Sequence, residues 1–101
     1  MTASGHEEAI RRMTVRFEGQ VQGVGFRFTA IRCAEGFDIS GYVQNEPDGA
    51  VTVVAEGVES DLLRYVQTLK ASPLGRYITR DMISWSPATG QFSGFTIGYG
   101  L

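Results

Sequence analysis

The chain has little of the chemistry that disulfides, metal clusters and membrane spans require. Its 101 residues include one cysteine, Cys33, and one histidine, His6. A lone cysteine cannot form an internal disulfide, and one Cys with one His cannot build a metal cluster. No apolar run approaches the roughly 18 residues of a membrane span, and the start lacks the apolar core of a signal peptide. The sequence therefore predicts a cytoplasmic protein with no metal, no cofactor and no membrane contact.

Positive charge is also scarce. Nine Lys and Arg residues stand against eleven Asp and Glu residues, so the net charge is −2. Such a chain has no general positive field to attract nucleic acid, and any anion must be bound at a local site. The length fits one domain, and no long apolar surface run is present, so we expect a monomer. Residues 1–9 are polar and without periodicity, and they are expected to be a flexible leader to a domain over 10–101.

Hydrophobic periodicity divides the domain into strands and two helices. Alternating or β-rich runs predict strands over 11–18, 39–45, 50–56 and 76–85, and a short last strand with Phe95, Ile97 and Tyr99. Helical spacing predicts helices over 25–36 and 59–70, the second with a stripe of Leu62, Leu63, Val66 and Leu69. Glu-Pro-Asp-Gly at 46–49 predicts a hairpin turn. The order indicates a ferredoxin-like α+β fold, βαββαβ with a fifth strand, in which two helices cover one face of a mainly antiparallel sheet.

Three glycines and an arginine lie between the first strand and the first helix. Residues 19–27 read Gly-Gln-Val-Gln-Gly-Val-Gly-Phe-Arg. Glycines let successive N–H groups converge, a helix N-terminus adds partial positive charge, and the Arg27 guanidinium can hold two phosphate oxygens. A plain flexible turn with Arg27 in solvent is the alternative. Nucleotide motifs are absent, since no Gly-Lys-Ser/Thr follows and Phe28 stands where the dinucleotide motif needs a small residue.

Asn45 is the second candidate, at the end of the second strand. An amide both donates and accepts hydrogen bonds, so it can orient a water molecule toward phosphorus; a turn asparagine bonded to its own backbone is the alternative. No nucleophile or general acid stands out, because Ile39 occupies the arginine position of a Cys-x5-Arg loop counted from Cys33. An acyl phosphate needs no general acid, since its carboxylate leaving group has a parent pKa of roughly 4.

Two stretches, residues 19–27 and 41–49, resemble the two signature motifs of acylphosphatases. The resemblance continues through residues 51–57 and 95–99. It implies hydrolysis of the carboxyl-phosphate anhydride to a carboxylate and inorganic phosphate, without a metal or a covalent intermediate. It assigns phosphate binding to Arg27 and water orientation to Asn45. The phosphate-binding loop that it implies comprises Gln22, Gly23, Val24, Gly25 and Phe26, followed by Arg27.

Two other functions remain open from the sequence. Gln44 stands where acylphosphatases often have a basic residue, and Glu46 adds an acid after Asn45. These residues favour a non-catalytic module that binds phosphate or carbamoyl phosphate without releasing product. Residues 23–28 also echo the aromatic motif of RNA-recognition domains. Their place at the start of a helix and the acidic pI of about 5.3 argue against that reading.

Overall fold

Residues 9–98 of the computed structural model are described here, and they form a sheet of five strands with two α-helices. The elements are β1 (Ile10–Gly19), α1 (Phe26–Ala34), β2 (Ser40–Asn45), β3 (Val51–Val58), α2 (Glu59–Ala71), a 3-10 turn (Pro73–Tyr77), β4 (Ile78–Pro87) and β5 (Phe95–Ile97). The strand order is β4-β1-β3-β2-β5, and only β2 and β5 pair in parallel. The predicted ferredoxin-like α+β fold is confirmed.

Alternation along the strands separates a buried face of the sheet from an open one. Met13, Val15 and Phe17 of β1 are fully buried, whereas the intervening Arg12 and Arg16 are partly exposed. The helices complete the core on the buried face with apolar side chains spaced three or four residues apart. Those side chains are Phe26, Ala30 and Ala34 of α1, and Leu62, Tyr65, Val66 and Leu69 of α2.

The predicted stripe of α2 is wrong at one position. Leu63 is 39% exposed, whereas Tyr65 is fully buried. The Tyr65 hydroxyl donates a 2.9 Å hydrogen bond to the carbonyl of Ala30 in α1, so its polar group is satisfied in the core. Burial raises the pKa of Tyr65, with a smaller contribution from Cys33, and the hydroxyl therefore stays a donor. This hydrogen bond fixes α1 against α2.

Two element boundaries also differ from the prediction. Helix α1 is shorter than the predicted 25–36, because Gly25 has φ 81° at its N-terminus and the amides of Glu35 and Gly36 bond three residues back. Strand β4 begins at Ile78, two residues late, because Ser72 caps a 3-10 turn through its hydroxyl. Tyr99 and residues 1–8 of the predicted leader lie outside the described residues. No helix within residues 9–98 is long and apolar enough to cross a membrane.

A buried carboxylate on the open face holds the chain between β4 and β5. Glu56 of β3 is 4% exposed and accepts hydrogen bonds from the amides of Thr89 and Gly90 (2.9 Å each) and from Arg12 Nε (2.8 Å). Burial alone would raise the pKa of Glu56, but these bonds outweigh it and lower the pKa from 4.5 to about 2. The Arg12 guanidinium also lies 4.8 Å from the centre of the Phe92 ring. The chain segment that crosses from β4 to β5 is therefore held against β3, the central strand of the sheet.

Glu56→Gln tests this network, because it removes the charge and keeps the shape. We expect the free energy of unfolding at neutral pH to fall by about 3 kcal/mol, since one partner of a buried ion pair is lost. The folded-state pKa lies below 4.5, so the stabilisation is full above that pH and is lost as the pH falls toward 2. Urea unfolding of wild type and variant between neutral pH and about pH 3 measures both effects.

Glu59→Gln is the matched control. Glu59 pairs with Arg11 on the surface, where both side chains are nearly half exposed, so its loss should cost less than about 1 kcal/mol. Equal stability of the Glu59 and Glu56 variants at every pH would show that the Glu56 network does not hold the crossover.

Candidate active site

The site is built where β1 ends and the chain turns into α1. Gly19 has φ 129°, and a Cβ there would lie 2.1 Å from the carbonyl oxygen of Tyr77. The next amide, of Gln20, donates a 3.0 Å hydrogen bond to that carbonyl. Only glycine permits this approach, which anchors the start of the loop to the 3-10 turn.

The loop ends at a helix N-terminus whose amides are available. Gly25 precedes α1 with a left-handed backbone and no side-chain cap, and its carbonyl accepts the first helical hydrogen bond, from Thr29. Within residues 9–98, no acceptor is hydrogen-bonded to the amides of Gly23, Gly25, Phe26 or Arg27. Free amides and the positive end of the helix dipole favour an anion at this point.

Gln22 ties the loop to the β2–β3 hairpin. Its Nε2 donates to the carbonyls of Glu46 (2.8 Å) and Ala50 (2.9 Å) at the two ends of the hairpin turn. The Gln22 side chain is therefore not among those that line the cavity described below. Sequence reasoning placed Gln22 in the phosphate loop and missed this contact, for which the local sequence carries no signal.

A cavity of about 220 Å³ joins the loop to the end of β2. Arg27 and Asn45 both line it, although they come from α1 and β2. Its lining comprises Val21, Gly23, Gly25, Phe26, Arg27, Phe28, Asn45 and Ile97. Val24, the remaining loop residue of the sequence prediction, packs half-buried against the core instead. The structure thus brings together Gly23, Gly25, Phe26, Arg27 and Asn45.

The electrostatics of the cavity are positive and unopposed. Arg27 makes no ion pair within residues 9–98, and no carboxylate is among the residues that line the cavity. Glu46, the acid next to Asn45, accepts a 3.0 Å hydrogen bond from Gln44 outside the cavity. The guanidinium and the free amides are therefore available to a dianion.

The Cys33 thiol and the described acidic side chains are not among the residues that line the cavity. Cys33 does not line the cavity, and burial raises its pKa despite the opposing charge of Arg32, so the reactive thiolate is disfavoured. Residues 9–98 contain no group of three or more His, Cys, Asp or Glu side chains that could hold a metal ion. The described groups can bind an anion and position a neutral molecule beside it.

A model of the acylphosphatase family matches residues 13–97, which is most of the chain. The chain belongs to the acylphosphatase family. An acylphosphatase from Lactobacillus gasseri is 44% identical over 92 residues, covering 89% of this chain and all of the relative. An acylphosphatase from Arthrobacter sp. is 42% identical over 88 residues, covering 87% of this chain and 81% of the relative. The crystal structure of acylphosphatase from Bacillus subtilis superposes with a TM-score of 0.79 at 32% identity, covering 88% of this chain and 99% of that one.

Gln22→Ala tests whether the two hydrogen bonds from Gln22 to the hairpin shape the candidate site. Without the two hydrogen bonds, the loop amides are less well placed, and we expect the affinity for inorganic phosphate to fall by roughly tenfold. The free energy of unfolding should fall by about 1 to 2 kcal/mol. Titration calorimetry with phosphate and urea unfolding measure the two quantities. Gln67→Ala, on the exposed side of α2, is the control and should change neither. Unchanged phosphate affinity in Gln22→Ala would mean that the loop holds its shape without this tie.

Proposed function

We propose that the protein hydrolyses acyl phosphates at this cavity, with Arg27 and the amides of the loop as the phosphate site and Asn45 as the residue that orients water. The observation that carries the proposal is the meeting, in one cavity, of loop amides and a guanidinium that have no partner within residues 9–98 with the neutral amide of Asn45. Membership of the acylphosphatase family supports it independently. The substrate is an acyl phosphate, and the products are a carboxylate and inorganic phosphate.

The reaction is a direct displacement at phosphorus. The oxygen of water forms a bond to phosphorus while the P–O bond to the acyl group breaks, and the electron pair leaves with the carboxylate. The proton lost by water ends on the product phosphate, so an acyl phosphate dianion gives a carboxylate and dihydrogen phosphate. A carboxylate leaves without protonation because the pKa of its parent acid is only roughly 4, so the anion is stable at neutral pH. A general acid is therefore not required, and within residues 9–98 no acidic, histidine or lysine side chain lines the cavity.

Positioning and charge stabilisation do most of the work in phosphoryl transfer. The amides around Gly23 and Gly25 and the Arg27 fork contact the nonbridging oxygens, whose charge they stabilise in the transition state. Asn45 accepts a hydrogen bond from the attacking water through its carbonyl oxygen and points the water's lone pair at phosphorus. Within residues 9–98 no side chain or backbone group is hydrogen-bonded to the Asn45 side chain, so it is free for this role.

We also propose that the enzyme needs no added metal for turnover and that it acts as a monomer in the cytoplasm.

The alternative of a binding module rested on Gln44 and Glu46, but these side chains bond to each other and do not line the cavity. The RNA-recognition alternative requires aromatic residues on a central strand, whereas Phe26 and Phe28 lie in the first turn of α1 and Phe26 is buried. The described residues thus favour neither the binding module nor the RNA-recognition domain.

Arg27→Ala should abolish most of the turnover with little loss of stability. Removing one donor to a transition-state oxyanion costs on the order of 10² to 10³ in rate, and Arg27 supplies two donors and a full charge. Arg27→Lys should recover only part, because an ammonium cannot make the two-pronged contact. Release of phosphate from benzoyl phosphate, measured in the presence of a chelator, tests both variants. Arg80→Ala is the matched control, since Arg80 is exposed on β4 and away from the cavity. Full hydrolysis by Arg27→Ala would remove Arg27 from the mechanism.

Asn45→Ala should separate binding from catalysis. We expect the inhibition constant of inorganic phosphate to stay within about threefold of wild type while kcat falls by on the order of 10² or more, because water loses its orientation but the anion site is intact. Gln44→Ala changes the neighbouring residue, whose side chain points to the opposite face of β2, and should keep turnover. Equal losses of phosphate binding and turnover in Asn45→Ala would assign Asn45 to the phosphate site instead.

A further inference from the structure

One side of the cavity is apolar, and phosphate chemistry makes no use of it. Val21, Phe28 and Ile97 line this side, while the amides of the loop, Arg27 and Asn45 supply the polar groups. The three apolar residues come from the loop after β1, from α1 and from β5. An acyl phosphate has the same division, since a charged phosphoryl group is joined to an acyl group that is often carbon-rich.

Phe28 is the exposed member of this apolar side. Phe28 is 65% exposed. Within residues 9–98, Ile10 and Leu63 are the only other large hydrophobic residues that are exposed. Neither of those two lines this cavity. A phenylalanine left in water forgoes the free-energy gain of burying its ring, so an exposed ring at the edge of a concave site is a candidate contact for a ligand.

The helix does not require Phe28 for its own packing. The buried stripe of α1 consists of Phe26, Ala30 and Ala34, and Phe28 lies off that stripe. The guanidinium of Arg32, one helical turn later, lies over the Phe28 ring, 5.6 Å from the ring centre. One face of the ring is thus occupied by a cation on the surface, and the ring borders the cavity. Ile97, which is half-buried, continues the apolar surface inward, whereas Val21 is fully buried and offers no exposed surface to a ligand.

We propose that Phe28 contacts the acyl group and makes the enzyme selective for acyl phosphates whose acyl group is apolar, aromatic ones above all. The inference rests on the proposed function, because it places the leaving group of that reaction. An aromatic acyl group gains both apolar burial and ring contact against Phe28 and Ile97, whereas an acetyl group is too small to reach both. The contact is present in substrate and transition state alike, so it lowers KM and leaves kcat nearly unchanged.

The test compares benzoyl phosphate with acetyl phosphate in wild type, Phe28→Ala and Phe28→Leu. In Phe28→Ala we expect KM for benzoyl phosphate to rise by roughly tenfold with kcat within about twofold, and KM for acetyl phosphate to change by less than about twofold. Phe28→Leu should fall between wild type and Phe28→Ala. The inhibition constant of inorganic phosphate should be unchanged in both variants, since phosphate does not reach the apolar side. Both variants should fold, because Phe28 is exposed and the new residues favour helix.

Leu63→Ala is the matched control, an exposed apolar residue of α2 that does not line this cavity, and it should change neither substrate's KM. If wild type hydrolyses both substrates and Phe28→Ala affects both equally or neither, the acyl contact is overturned while the proposed function stands. A weaker phosphate inhibition in Phe28→Ala would place Phe28 in support of the phosphate loop and also overturn it. If wild type hydrolyses neither substrate, the proposed function itself fails and the acyl contact fails with it.

Discussion

The pairing of β3 with two strands at once is the constraint on which the candidate site depends. Val51, the first residue of β3, lies opposite Phe17 of β1 on one side and opposite Asn45 of β2 on the other. Because both pairings are antiparallel, β1 and β2 run in the same direction, and their C-terminal ends lie at the same end of the sheet. The loop after β1 and the side chain of Asn45 therefore leave the sheet about 10 Å apart, two strand spacings. At this end of the sheet, the side chain of Gln22 connects the loop to the hairpin turn by two hydrogen bonds.

The distribution of charge explains how an acidic chain can carry the proposed anion site. Several arginines are neutralised by neighbouring acids, as Arg12 is by Glu56 and Arg16 by Glu18 and Asp48. Paired charges produce weak fields at a distance, and salt screens them further. Among residues 9–98 no acid pairs with Arg27, which lines the cavity, and the loop amides without a partner there add to its potential. Binding of a dianion depends on this local imbalance and not on the net charge of the chain.

Much of the fold and part of the site could be predicted from the sequence. Periodicity is a local property, so the order of strands and helices followed from it, and so did the place of Asn45 at the end of β2. The contacts of Gln22 and Glu56 could not be predicted in this way. Gln22 bonds to carbonyls 24 and 28 positions away, and Glu56 to amides 33 and 34 positions away, so each contact depends on the assembled sheet. The choice of Leu63 over Tyr65 was an error of helix phase, since Tyr65 lies three residues after Leu62 on the buried stripe of α2. The acceptor for the Tyr65 hydroxyl, the Ala30 carbonyl 35 positions away, could not be predicted from local sequence.

The crossover that leads from β4 to β5 passes from one edge of the sheet to the other. It brings β5 to β2 through three residue pairs, from Gly41 with Phe95 to Val43 with Ile97, which are more than fifty positions apart. Contacts so distant in sequence carry a high loop-closure entropy and lower the rate of folding. The hairpin of β2 and β3 closes a far shorter loop. We therefore expect the part of the cavity next to Asn45 to form first, and the part that Ile97 lines to form later. The short β5 also leaves only a brief edge open to pairing with another chain, which limits strand-mediated aggregation on that side of the sheet.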